Sequence, residues 1–133
     1  MIHDDIMALE GRELDVAVAE RIEGKKVVNV EPVTGETGYW TEREDHWTRV
    51  SGKNYPLLDM LDDYSSNLGY AWYLAEDFAD GNGVVVGTRF DLYGQHSGYY
   101  AEVFGERAES DNDPAEALCR AMLILKMKME TSS

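Results

Sequence analysis

The sequence predicts an α+β fold in which three amphipathic helices and about four mostly antiparallel strands form an α-β-α layered sandwich. Apolar residues recur at helical spacing in three segments, and they alternate with polar residues where a hairpin is expected. The chain has 133 residues, of which 44% are hydrophobic and 29% charged. This size and composition fit one globular domain spanning residues 1–133.

The first helix and the first strand are indicated by apolar spacing between turn residues. Apolar residues at helical spacing between two glycines predict a helix over Arg12–Glu23. Lys26–Glu31 holds three valines and is followed by a proline, which predicts a short strand. The next stretch is less regular, and there we expect a loop over Thr34–Gly38 and a strand over His46–Val50.

The second helix has the clearest apolar face. Leu57–Tyr64 predicts a short helical turn that leads into it, and Ser65 or Ser66 is expected to cap it. The helix ends at Asp80–Gly83. Its inner face is expected to cover the sheet and to bury Trp72. That face consists of Leu68, Ala71, Trp72, Ala75, Phe78 and Ala79.

A hairpin and a third helix follow. Val84–Tyr93 alternates apolar and polar residues, which predicts a half-buried strand. The glycine-bounded loop Gly94–Gly98 joins it to a second strand over Tyr99–Arg107. Asp113 is expected to cap the third helix, because Pro114 occupies its first position and a glutamate lies three residues after the cap.

Three segments also carry a family resemblance. They are "ALEGRELDVAVAERIEG" (Ala8–Gly24), "YSSNLGYAW" (Tyr64–Trp72) and "ESDNDPAEALCRAMLI" (Glu109–Ile124). In order, they resemble the N-terminal helix, the second-helix entry and the last segment of the phage ABA sandwich domain family. The second and third are also similar to NinX-type proteins of lambdoid phages. The resemblance implies a small phage- or prophage-encoded protein with a layered α-β-α fold, and it implies no activity.

Part of the chain departs from that family pattern. Residues 33–56 match it poorly, and the stretch before Tyr64 looks like an insertion. A function particular to this chain could lie in this departing part, residues 33–63, whose role the sequence leaves open.

The charge balance excludes some classes of partner. The chain has 26 acidic and 12 basic residues, a net charge of −14. This charge argues against binding nucleic acid phosphates directly and against an anionic membrane surface. No apolar run approaches the ~20 residues that span a bilayer. The single cysteine, Cys119, is compatible with a reducing cytoplasm and is expected to be a buried structural thiol. We therefore expect the protein in the cytoplasm of a host bacterial cell.

Acidic residues cluster in two stretches. No lysine or arginine occurs between Lys53 and Arg89, and a second acidic stretch runs from Glu102 to Glu116. If the two stretches are adjacent in the fold, they form one negative face. Such a face can occupy the cationic groove of a DNA-binding protein. The alternative is that the charge only keeps the protein soluble. The first stretch contains Asp59, Asp62, Asp63, Glu76, Asp77 and Asp80.

Aromatic residues in the irregular region form a second candidate surface. They lie beside three basic residues, a composition that suits base stacking or protein contact. The alternative is that Trp40 and Trp47 cover the open face of the sheet. The set is Tyr39, Trp40, Trp47 and Tyr55 with Arg43, Arg49 and Lys53.

These observations favour a non-catalytic accessory protein that binds a host or phage protein, such as a host defence protein or a DNA-binding protein. The candidate binding residues are the six acids of the first stretch with Trp40, Trp47 and Arg49. One alternative is a binding protein for a small nucleotide, and the least favoured is a metal-dependent hydrolase that uses paired carboxylates. No catalytic residue, metal ligand or cofactor is predicted, and self-association is left open.

Overall fold

Four helices and six strands form in the part of the chain described by the computed structural model, residues 3–30, 38–81 and 83–131. The α+β class and the antiparallel pairing predicted from the sequence are confirmed. The elements are α1 (His3–Ala8), α2 (Gly11–Arg21), β1 (Val27–Val30), β2 (Gly38–Val50), β3 (Lys53–Met60), α3 (Leu68–Phe78), β4 (Val84–Phe90), β5 (His96–Val103), β6 (Glu106–Ser110) and α4 (Pro114–Thr131).

The strands form two antiparallel sheets of three strands, in the orders β1-β2-β3 and β4-β5-β6. The helical turn predicted over Leu57–Tyr64 is wrong, because residues 57–60 belong to β3. There Leu58 lies opposite Glu42, and Met60 lies opposite Trp40. A short apolar run is compatible with either structure, and pairing with β2 decides it. The strand predicted over His46–Val50 lies within β2. The loop predicted over Thr34–Gly38 falls outside the described residues, except that Gly38 begins β2.

A tight turn divides the second strand of the predicted hairpin. Instead of one strand over Tyr99–Arg107, β5 ends at Val103 and β6 begins at Glu106, and these two residues pair. The turn consists of Phe104 and Gly105, whose φ angles are 49° and 82°. The sequence analysis missed it because its first position carries phenylalanine, where asparagine or aspartate is the usual residue.

Helix α4 lies at the centre of the molecule. Every residue from Ala115 to Leu125 is buried, and the helix packs against β5, β6 and all three other helices. Apolar residues cover most of the circumference of this helix, and its two buried charged residues, Glu116 and Arg120, pair with each other. The predicted cap is confirmed, since the Asp113 carboxylate accepts a hydrogen bond from the Ala115 N–H at 2.8 Å.

Helix α3 packs mainly against α4 and makes few contacts with β4, which corrects the expectation that it covers the sheet. Ala71 and Ala75 are fully buried, whereas Leu68 is exposed and Trp72 only half-buried. The expected burial of Trp72 is wrong, because its indole N–H turns toward the surface and donates to Glu76.

The cap of α3 also differs from the prediction. The Asn67 side chain, not Ser65 or Ser66, accepts from the Tyr70 N–H at 3.2 Å. Ser65 instead donates its backbone N–H to Asp15 of α2 at 2.7 Å. This bond fixes the connection between β3 and α3 against α2.

Candidate functional site

The structure separates the acidic residues of the first stretch. Asp59 lies on β3, 3.5 Å from the Arg43 guanidinium. Asp62 follows β3 and lies 3.5 Å from the Lys25 ammonium. Asp63 is exposed in the connection to α3. Because Asp59 lies on a strand and not on the predicted helical turn, the three aspartates do not share a helix face, and two of them have basic partners.

The remaining three acids lie together at the C-terminal end of α3. Glu76 and Asp77 occupy its last turn, Asp80 follows two residues after the helix, and all three are exposed. We call these residues the acidic end of α3. Within the helix, the first turn has no acid and the last turn has no base. This order opposes the helix macrodipole, whose negative end is the C-terminus, at a cost of about 0.3–1 kcal/mol for each charge.

The second acidic stretch is largely neutralised by basic side chains. The Arg89 guanidinium contacts Glu109 at 2.7 Å and also Asp111. Buried Glu116 lies 2.9 Å from Arg120. Lys128 contacts Glu106 at 2.7 Å. The two stretches therefore differ, because ion pairs occupy most of the second one.

The Arg89 ion pairs belong to the solvent face of the sheet β4-β5-β6. The Arg89 side chain crosses Gly98, where a Cβ atom would lie 2.7 Å from its Nη2 atom. The Tyr100 ring lies over Gly87 in the same way, and the Arg107 guanidinium stacks on it at 4.1 Å from the ring centroid. The two glycines thus make room for a compact charged and aromatic layer.

An apolar groove of about 320 Å³ opens beside the acidic end of α3. Three elements distant in sequence form its wall: the end of α3, the β5–β6 turn and the last turns of α4. Sequence analysis had no local signal for this groove, because its residues lie in three separate segments. They are Phe78, Ala79, Asp80, Phe104, Leu125 and Met129.

Phe104 is an unusual wall residue. Its backbone is left-handed and its side chain is 61% exposed. A bulky residue in this region is strained, and exposure of the ring to water gives no burial in return. Neither the turn nor the core accounts for a phenylalanine at this position.

The structure divides the predicted aromatic surface. Tyr39 packs against the core, and Trp40 is half-buried. The Trp40 indole N–H finds no acceptor within the described part of the chain. Trp47 is 61% exposed, so it does not cover the sheet. Arg49 is also exposed and lies two residues further along β2. Trp47 and Arg49 therefore form an exposed aromatic and cationic pair on β2, and the side chain of Tyr55 lies outside the described residues.

A half-buried cluster that sequence analysis missed joins the segment before β1 to the segment before α3. Fully buried Tyr64 donates its hydroxyl hydrogen bond to Glu23. Burial first, and then this bond to Glu23, raise the pKa of Tyr64 far above its ordinary value. Lys25 lies 3.0 Å from Glu23. Burial opposes its charge, but Glu23 and Asp62 outweigh that effect and raise the pKa of Lys25. A hydrogen bond and ion pairs among these residues hold the cluster together, and the cluster connects two chain segments.

Two observations bear on metal binding and on a cysteine nucleophile. No group of three or more His, Cys, Asp or Glu residues is placed to hold a metal ion in residues 3–30, 38–81 and 83–131. Cys119 is fully buried, which confirms the expected structural thiol, and burial raises its pKa well above the ordinary value.

Comparison with known proteins gives no relative. No family model, no curated protein and no solved structure matches the chain. The resemblance to the phage ABA sandwich domain family therefore stays a prediction. Among the described helices, none has the length and apolar character needed to cross a membrane.

Proposed function

We propose that the protein is a small acidic accessory protein of a phage or prophage. It acts without catalysis, in the cytoplasm of the host bacterium, by binding a host or phage protein. The contact surface is the acidic end of α3, which attracts a partner with a basic surface.

The observation that carries this proposal is the contrast between the two acidic stretches. Ion pairs take up most carboxylates of the second stretch. At the acidic end of α3, the exposed Glu76 accepts from an indole rather than from a base, and Asp77 lies in a helix with no basic residue. A solubilising charge does not need to stand at the negative end of a helix, where it lowers stability. A binding surface accounts for that placement.

The test uses the protein as immobilised bait in host lysate, followed by mass spectrometry of the retained proteins. Two baits are compared with the wild type: Glu76→Gln with Asp77→Asn, and the matched control Glu13→Gln with Glu20→Gln. Both pairs are exposed, and both substitutions remove the same charge. We expect a basic protein that the wild type and the control retain and that the α3 variant loses.

Two results contradict the proposal. If both variants lose the partner equally, net charge and not the α3 surface holds it. If neither variant loses the partner at low salt, the contact is not at the acidic end of α3.

A second candidate function rests on the exposed pair Trp47 and Arg49. An exposed indole can stack on a base, and a nearby guanidinium can hold a phosphate. Thermal unfolding in the presence of nucleotides and cyclic dinucleotides tests it, because ligand at 100 times Kd stabilises by about 2.7 kcal/mol. The expected shift disappears in Trp47→Ala. The absence of any shift in the wild type at millimolar ligand excludes this function.

A further inference from the structure

Two features that lower stability meet at one place in the fold. The acidic end of α3 opposes the helix macrodipole. Phe104 occupies a left-handed turn position with its ring exposed to water. Both border the same apolar groove, since Asp80 and Phe104 are part of its wall. Local violations of the rules for stable structure are typical of functional sites.

We infer that this groove receives the apolar anchor of a basic peptide segment of the partner, while the acidic end of α3 contacts the flanking lysines and arginines. The inference rests on the proposed function and adds to it the docking site and the chemistry of the docking segment.

The dimensions of the groove suit a side-chain anchor. Its volume is about 320 Å³, and it is partly open to solvent. Leu125 forms the floor and is 8% exposed, whereas Phe104 and Met129 form walls that are 61% and 53% exposed. An inserted aliphatic or aromatic side chain removes these two walls from water. Central apolar contacts of this kind dominate binding energy at protein interfaces.

Charge decides which occupant fits the groove. Each copy of the chain has a net charge of −14, so a second copy is repelled. Lys128, the base next to the wall residue Met129 in α4, is already paired with Glu106 at 2.7 Å. The wall of the groove on the α3 side is acidic, because it includes Asp80. A basic segment therefore complements the rim, and its apolar anchor complements the floor.

Phe104→Asn separates the docking role of this residue from its role in the turn. Asparagine followed by glycine is the preferred pair for a two-residue turn with two positive φ angles. The substitution therefore keeps or improves folding while it removes one wall of the groove. Phe90→Asn is the matched control, because Phe90 is 60% exposed and lies outside the groove.

The probe is a fluorescein-labelled synthetic peptide with leucines at helical spacing and only lysine, arginine and alanine elsewhere. Binding is measured by fluorescence anisotropy at low and at physiological salt. We expect Phe104→Asn and Met129→Gln to weaken binding at least tenfold, or about 1.4 kcal/mol, and Phe90→Asn to leave it unchanged. A peptide with serine in place of leucine should bind the wild type as weakly as the leucine peptide binds the two groove variants.

The other outcomes overturn the inference in distinguishable ways. If Phe104→Asn binds like the wild type but Glu76→Gln with Asp77→Asn does not, the acidic surface stands and the groove is excluded. If no variant differs from the wild type, the groove and the proposed function both fail. If sedimentation shows a wild-type dimer that Phe104→Asn dissociates, the occupant is a second copy and the basic-segment inference is wrong.

Discussion

Gly98 of β5 is required by both its backbone and its surroundings. Its φ angle is +147°, and a Cβ atom there would lie 2.9 Å from the Ser110 carbonyl oxygen and 2.7 Å from Arg89 Nη2. We expect Gly98→Ala to lower the free energy of unfolding by about 1–3 kcal/mol. Urea denaturation measures it. The control is Gly69→Ala in α3, where the nearest atom is at 3.7 Å and a gain of about 0.4–1 kcal/mol is expected. Equal effects at both positions would contradict this account.

The Cys119 thiol is expected to react only when the chain unfolds. It is fully buried in α4, and burial first, then the nearby carboxylates of Asp15 and Glu116, raise its pKa. The reactive thiolate is therefore scarce and inaccessible in the native state. Labelling with an aromatic disulfide reagent should be slow in native buffer and fast beyond the urea midpoint. Rapid labelling of the native protein at pH 7 would show that the helix opens locally.

Single residues show what sequence analysis can and cannot recover. The Asp113 cap and the buried Cys119 were predictable, because each depends on neighbours within a few positions. The partners of Arg89 and the exposure of Phe104 were not, because they depend on residues brought together by the sheet. The acidic residues at the end of α3 were visible as a charge cluster. Only the structure distinguishes these residues from the carboxylates that ion pairs neutralise.

Helix α4 is buried along most, but not all, of its length. Leu118 is fully buried, whereas Met129, near the end of the helix, is 53% exposed. We expect Leu118→Ala to destabilise by about 2–5 kcal/mol, since it removes buried methyl groups and leaves a cavity. Met129→Ala should change stability by about 0.5 kcal/mol or less. Urea midpoints of the two variants decide the assignment, and similar losses would mean that the helix is buried further along its length.

Removing the charges at the acidic end of α3 should raise the stability of the protein. Glu76→Gln with Asp77→Asn relieves the repulsion between two carboxylates and the negative end of the helix. We expect a gain of about 0.3–1 kcal/mol for each charge, measured as a higher melting temperature at low salt. The gain should shrink as salt screens the repulsion. A lower melting temperature would show that these carboxylates make stabilising contacts.

Predictions of whole elements failed where long-range pairing decides the structure. Residues 57–60 form a strand because β2 supplies hydrogen-bond partners, and nothing within the segment distinguishes a strand from a helical turn. The division of β5 from β6 was hidden by an atypical turn. Three helices were predicted within a few residues of their ends, because apolar periodicity and capping are local properties. The packing of α2 and α3 mainly against α4, and not against a sheet, was not predictable from that periodicity.

The whole molecule should lose stability in alkaline solution. The pKa values of Tyr64, Tyr70, Lys25 and Cys119 are all raised above their ordinary values of 10.0, 10.0, 10.5 and 9.0. The native state therefore keeps protons that the unfolded chain releases as pH rises. The contribution of these groups to the free energy of unfolding is fully present below about pH 9 and is lost as the pH rises above it. Urea midpoints measured from pH 7 upward test this prediction.

Tyr64→Phe is the control for that experiment. The substitution removes the Tyr64 hydroxyl, which holds one of the protons that the native state keeps. The urea midpoint should therefore fall less steeply as the pH rises. The variant also loses the hydrogen bond to Glu23 and should start from a lower stability at pH 7. A slope identical to that of the wild type would exclude Tyr64 as a source of the alkaline loss.

The position of α4 in the chain has a consequence for protein synthesis. The strands and the other helices all precede it, yet each of those helices packs against it. Arg120 reaches back 111 positions to donate a hydrogen bond to the Leu9 carbonyl oxygen. A growing chain on the ribosome therefore exposes the apolar sides of α1, α2 and α3 until residues 115–125 have emerged. A message that stops earlier produces a chain with no partner for those surfaces, which makes the fragment a substrate for proteases and chaperones rather than a working shortened protein.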